Sequence, residues 1–158
     1  MTRGPWVISK TSSAFGRDAQ MFDSSFGWRF INPKMEAIYG VDSMGMTAEN
    51  LAEKFNISRE DQDAFACWSQ DKTAKATASG YFEGEITPVS IPQRKGEPKV
   101  IATDEFARPS TSIESLAGLR PAFKKDGSVT AGNASGLNDG AAALLMASED
   151  GLKVHSLT

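Results

Sequence analysis

The most regular apolar pattern in the chain lies in residues 58–79. Ala64, Phe65, Trp68 and Ala76 recur there at helical spacing among charged residues, which predicts the longest helix with that set facing inward. Ser58 stands three residues before Asp61, close to a capping box. Glu60 and Asp61 fall in the first turn, Lys72 and Lys75 come later, and Gly80 suits the position just past the end. Ala48, Leu51, Ala52 and Phe55 repeat the stripe on a shorter helix over 48–55, with Thr47 as its cap and Glu49 in its first turn. In 85–103 two β-rich runs, EITPVSIP and PKVIATDE, flank QRKGE and predict a hairpin. Pro88, Pro92 and Pro98 mark its strands as edge or irregular pairs. Pro109 with Ser110 or Thr111 starts a short helix over 112–118, which Pro121 ends. Residues 1–40 carry Trp6, Phe15, Phe22, Phe26, Trp28, Phe30 and Tyr39 without a period, and read as irregular loop with aromatic anchors.

The remaining pattern is VTAGNASGLNDGAAALLMA at 129–147. Gly132, Gly136 and Gly140 recur every fourth residue, with small residues between them. Small residues let a main chain approach a ligand closely, so the first half reads as a tight loop with exposed backbone donors. The second half, AAALLMA, reads as a short buried strand or a buried helix segment, and periodicity does not separate the two. KKDGSVT ahead of it is a D-G turn. Helices interleaved with β-rich runs make the expected class α/β.

Composition narrows the function. The net charge of −3 leaves no broad basic field, so nucleic acid is not an expected partner. Asn133, Ser135, Asn138 and Asp139 interrupt the glycine stretch, and no run approaches a membrane span. MTRGPWVISK lacks the apolar core of a secretory signal. One cysteine, Cys67, excludes an internal disulfide and fits a reducing compartment, the cytoplasm. With one histidine, His155, beside it, no zinc site assembles and no metal is expected. Cys67 lies mid-helix beside Trp68 with acids nearby, a setting that does not favour a thiolate, so it reads as an inert packed thiol. No dinucleotide fingerprint, P-loop or nucleophile elbow is present.

TAGNASGLNDGAAALL resembles the signature that thiolases carry where the chain returns from the large loop domain into the core sheet. REDQDAFA resembles a helix of that loop domain residue for residue, and DSMGMTAEN matches the degradative pattern. GRDAQ and FGWRFINP are more similar to the 3-oxoadipyl-CoA branch than to biosynthetic members. TRGPWV resembles the point where the family's chain enters the loop domain, so the sequence is expected to start inside the family's. The resemblance implies a thiolase-like fold, incomplete relative to a full thiolase: residues 1–138 as loop domain with its lead-in, 139–158 as returning core strand and tail. AAALLMA is then a strand at about 140–147. It also implies coenzyme A and acyl-CoA as substrates, no covalently held cofactor, and a homo-oligomer, dimer or tetramer.

Site residues carried over by the resemblance are few. FARPSTSIESLAGLRPAF places Arg108 at the nucleotide end of CoA, where a guanidinium can meet phosphate or stack on adenine. Ala131 and Ser135 lie along the pantetheine, with Ser135 able to hydrogen-bond one of its amides. Ser43 and Met44 ahead of the first helix, and Phe123 near the acyl end, line the substrate channel. Met44 taken alone would be simple packing. Arg94 and Lys95 read as a solvated turn, with a contact to a CoA phosphate or a neighbouring subunit as the alternative. Thiolases work through an activated cysteine, a second cysteine, a histidine and an asparagine, in the contexts C-x-[SG]-G, C-x-G-G, G-H-P and N-E-A-F. None of these stands in residues 1–158, so no catalytic residue is assigned. Two functions follow: the CoA-positioning piece of an acyltransferase, predicted inactive alone, or a non-catalytic CoA-binding or subunit-association module.

Overall fold

The computed structural model describes residues 3–25 and 27–156. Phe26, one of the expected aromatic anchors, and Thr2 of TRGPWV lie outside the described residues. The chain packs as two units, Lys34–Gly136 and Met1–Pro33 with Leu137–Thr158.

In the second of these, β1 (Trp6–Ile8) pairs antiparallel with β2 (Met21–Asp23), Val7 opposite Phe22. The expected irregular loop is therefore a hairpin at its ends. The connection is tied by its own polar groups: the Asp18 carboxylate accepts from the Ser12 N–H, and Gly16 N–H donates to the Ser13 carbonyl at 3.1 Å. Phe22 and Phe30 meet edge to face at 5.6 Å within this segment, but Phe30 and Tyr39 are exposed and the expected anchoring is not seen. Phe15, Trp6 and Trp28 are exposed. Helix α1 (Pro33–Tyr39), also unexpected, begins on a proline whose fixed φ and missing N–H suit that position, and stops at Gly40 with φ of 71°.

Lys34–Gly136 holds the long helices. Helix α2 (Met44–Phe55) starts earlier than expected. Ser43, not Thr47, is the cap: its hydroxyl accepts from the Met46 N–H at 3.3 Å, and Thr47 spends its own hydroxyl on the Ser43 carbonyl. This moves Glu49 out of the first turn. The buried face becomes Gly45, Glu49 and Ala52, while Leu51 and Phe55 of the expected stripe stay exposed. Helix α3 (Arg59–Ala78) matches expectation at both ends. The Ser58 hydroxyl accepts from Asp61 N–H, and Gly80 follows at φ of 72°. Its inward face is rotated, however. Asp63 is buried and Cys67 and Gln70 half-buried, whereas Ala64, Phe65 and Trp68 are exposed. The two rings cover each other edge to face at 5.9 Å, and Lys72 lies 4.1 Å over the Trp68 ring.

The expected hairpin forms: β3 (Val89–Ile91) pairs antiparallel with β4 (Lys99–Ile101), exposed along most of its length. Arg94 and Lys95 are exposed on its turn. Helix α4 (Ile113–Ala117) is capped by Ser112, one residue past the expected start, because Ser115 completes a reciprocal capping box with it.

The strand expected at about 140–147 does not form. Residues 141–147 have no regular structure; Leu144, Leu145 and Met146 are 93%, 87% and 91% exposed. A strand must hand its N–H and C=O groups to neighbours, and among the described residues neither two-stranded ribbon extends to a third strand here. Past it, α5 (Glu149–His155), not foreseen, is capped by Ser148, whose hydroxyl accepts from Gly151 N–H.

Candidate functional site

The polar groups of the molecule converge on the turn at 128–133. It begins in the expected D-G turn, where Asp126 rather than glycine takes the left-handed backbone at φ of 60°. Gly127 is needed for another reason: a Cβ there would collide with the Glu49 carboxylate. Ala122 N–H donates to the Val129 carbonyl at 2.9 Å, and Pro121 bridges to Thr130.

Two carboxylates secure this turn. Glu49, on α2, is 3% exposed. It accepts the Ser128 N–H at 2.9 and 3.1 Å on its two oxygens, the Val129 N–H at 2.9 Å and the Ser128 hydroxyl at 3.3 Å. Burial by itself would raise its pKa. The two backbone donors, the Ser128 hydroxyl and the charge of Lys124 outweigh that, and hold it below the ordinary value. Asp63, on α3, is also 3% exposed. Its Oδ2 accepts from Arg59 Nε at 2.8 Å and its Oδ1 from Asn133 Nδ2 at 2.9 Å. Asn133 in turn accepts the Thr130 N–H at 2.7 Å and donates to the Ser128 carbonyl at 3.1 Å. Thr130, fully buried, accepts from the N–H groups of Gly132 and Asn133. Arg59 also donates to the Leu116 carbonyl at 2.6 Å, which joins the end of α4 to the network. No buried side-chain polar atom among the described residues is left unpaired.

The expected site residues fall around this network. Ala131 and Ser135 are exposed, on the outer side of the turn and just beyond it. The turn lies close against α4, since a Cβ at Gly132 would stand 2.5 Å from both Leu116 Cδ2 and Leu119 Cδ1. Arg108 is exposed on the loop before α4. Its N–H donates to Gln70 at 2.9 Å and its carbonyl accepts from Thr111, while its guanidinium has no ion pair among the described residues. Phe123 packs on Gly45, where a Cβ would strike its ring, and so stands at the start of α2 beside Ser43 and Met44. It also lines a shallow depression of about 400 Å³ with Arg120, Lys124 and Lys125. The structure thus sets Phe123 against Gly45 and Ala131 on the turn that α4 supports, while Ser43 spends its hydroxyl on the cap of α2 and Met44 is 83% exposed. Cys67 is half-buried, its thiol donating to the Thr111 carbonyl at 3.6 Å.

Glu49, Asp63 and Asn133 were missed from sequence. A signal existed for Glu49: neither residue four positions away, Gly45 or Glu53, is a cation that could pair with it along the helix.

Residues 17–150 match the model of the thiolase N-terminal domain. The chain belongs to the thiolase family. Among curated thiolases, the beta-ketoadipyl-CoA thiolase of Acinetobacter baylyi is 60% identical over 99% of the chain. The 3-oxoadipyl-CoA/3-oxo-5,6-dehydrosuberyl-CoA thiolase of Escherichia coli is 53% identical over all of it. The chain spans 39% of the length of each. Among solved thiolases, human mitochondrial 3-ketoacyl-CoA thiolase in complex with CoA superposes with a TM-score of 0.69 at 39% identity, covering 98% of this chain and 37% of that one. The thiolase fold expected from the sequence is thereby established, as is the incompleteness of the chain relative to its relatives. Among the described residues no helix is long and apolar enough to cross a membrane.

Proposed function

We propose that this chain is the loop-domain portion of a thiolase that cleaves 3-oxoadipyl-CoA with CoA to acetyl-CoA and succinyl-CoA, and that its part is to position CoA. The observation that carries the reading is the 60% identity, over 99% of the chain, to a beta-ketoadipyl-CoA thiolase. In this reading residues 1–138 are the loop domain with its lead-in and 139–158 the returning strand and tail. The enzyme is a cytoplasmic homo-oligomer.

Each group has one task. The Arg108 guanidinium, free of ion pairs among the described residues and exposed, meets the phosphates or the adenine of CoA. The pantetheine runs along Ala131, whose methyl leaves room, to the hydroxyl of Ser135. Ser43, Met44 and Phe123 line the channel beyond it. Such positioning contributes several kcal/mol to a bimolecular acyl transfer. The covalent chemistry belongs to residues of the complete enzyme, so the chain alone cleaves no 3-oxoacyl-CoA.

The test is kinetic, in a complete thiolase carrying this sequence. Arg108→Ala is expected to raise the KM for CoA about tenfold, the size of one charge-assisted hydrogen bond, with little change in kcat. Ser135→Val is expected to raise it as well. A KM unchanged within error in both variants removes the binding surface.

One observation favours a second reading, a fragment that serves subunit association: the exposure of Leu144, Leu145 and Met146. The same three residues are those of the returning strand, which the first reading already accounts for.

A further inference from the structure

Glu49 and Asp63 touch none of the groups assigned to CoA, yet both are buried and both reach into the turn that carries Ala131. We propose that they are positioning residues for CoA: two carboxylates on separate helices that pin the inner side of the turn at 128–133, and so fix the outer side against which the pantetheine lies. The proposal rests on the reading that Ala131 and Ser135 line the pantetheine.

The geometry divides the turn's backbone donors cleanly. Ser128 and Val129 give theirs to Glu49, Thr130 to the Asn133 side chain, and Gly132 and Asn133 to the Thr130 hydroxyl. The Asn133 side chain is itself oriented by Asp63. Among the described residues the N–H groups of Ala131, Ala134 and Ser135 have no partner; Ala131 and Ser135 are exposed and Ala134 is half-buried. Within 128–133 every donor but that of Ala131 is consumed by the protein, and the exposed N–H groups of Ala131 and Ser135 are left for a ligand. A ligand groove lined by main chain and short side chains has little reach to adjust, so its position depends on what holds the backbone from behind.

Ionised carboxylates suit this task. A carboxylate is an acceptor at both oxygens, and here all four oxygens accept: both of Glu49 from the turn, and those of Asp63 from Arg59 and Asn133. An amide of the same shape would turn an NH2 toward a donor at one of them. Arg59 ties Asp63 further to the carbonyls of Leu116 and Leu119. The loop of Arg108 leads into that same helix α4, so the clamp, the Arg108 loop and the turn of Ala131 share one support.

The test uses the complete thiolase with Glu49→Gln and Asp63→Asn, each compared with Arg108→Ala and Ser135→Val. Thiolysis is measured with CoA and with pantetheine, which lacks the nucleotide, and kcat is referred to titrated active sites. Both clamp variants are expected to raise KM about tenfold for CoA and for pantetheine alike, near one charge-assisted hydrogen bond in size. Arg108→Ala is expected to raise it for CoA only. Loss of folded enzyme alone would lower the titrated sites and leave KM in place. If Glu49→Gln yields no folded enzyme, Asp63→Asn reads the same turn from its other end. An unchanged KM in the clamp variants, with Ser135→Val still raising it, overturns the clamp and leaves the CoA surface standing. Unchanged KM in all four variants overturns both.

Discussion

The turn at 128–133 and the run at 141–147 sit a few residues apart in one glycine-rich stretch, and they end in opposite conditions. The first is closely hydrogen-bonded, with Val129 and Thr130 buried and only Ala131 exposed; the second is apolar and exposed. Ser128 is held by Glu49 and Gln62 and Asn133 by Asp63, while Thr130 bonds to Asn133 and Gly132 within the turn itself. Glu49, Gln62 and Asp63 lie on helices, which satisfy their own backbones and can offer side chains. Leu144, Leu145 and Met146 need flanking strands and an apolar layer, and among the described residues neither reaches them. The difference shows which half of the signature this stretch of sequence can fold by itself. The polar half is stabilised within Lys34–Gly136, and the apolar half finds no cover among the described residues.

The largest effect expected from breaking this contrast is on association. An exposed run of Leu144, Leu145 and Met146 is a template for self-pairing, and the isolated chain is expected to oligomerise or aggregate at micromolar concentration. Leu144→Asp with Met146→Asp should restore monomer in sedimentation velocity. Monomer in the unsubstituted chain, with cooperative melting, would mean that the run is covered after all.

Next comes Glu49→Ala. It leaves the Ser128 and Val129 N–H groups without their acceptor, and should destabilise Lys34–Gly136 by about 3 kcal/mol in denaturant unfolding. The same carboxylate sets a pH dependence. Its folded pKa lies below its ordinary value of 4.5. Its stabilisation is therefore complete above about 4.5, and is lost as pH falls through the lower folded value. Glu49→Gln should flatten that acid limb; an identical limb in the variant would place the titration elsewhere.

The smallest effect belongs to the exposed pair of Lys124 and Glu53, 2.9 Å apart. Glu53→Gln should change stability by no more than about 0.5 kcal/mol, and less in high salt. A larger loss would show that the clamp depends on Lys124 more than its geometry indicates.

Local signals were legible where a short stretch decides the outcome. Ser58, Asp61 and Gly80 delimit α3 to within a residue, and the paired runs around QRKGE form the expected hairpin. The family, and with it the fold, was legible in the words TAGNASGLNDGAAALL and REDQDAFA, and the thiolase N-terminal domain model matches residues 17–150, which contain both. The face of each helix was not. Phe65 and Trp68 give the apolar stripe, yet the buried position goes to Asp63, because its partners Asn133 and Arg59 come from 70 and 4 residues away. Glu49 looked like a first-turn dipole residue for the same reason; its donors lie 79 and 80 residues along the chain. A long-range polar pair leaves no period in the sequence. The expected strand at 140–147 failed differently, since its composition is that of a strand but pairing is a property of neighbours.

Amide hydrogen exchange measured on the isolated chain and on a complete thiolase carrying it tests most directly the claim that this chain holds the turn at 128–133 by itself but forms no strand at 141–147. The account predicts that Ser128 and Val129 are protected in both samples, and that Leu144, Leu145 and Met146 exchange freely in the chain and become protected in the complete enzyme. Protection of Leu144–Met146 in a monomeric isolated chain, or free exchange at Ser128 and Val129, would contradict it.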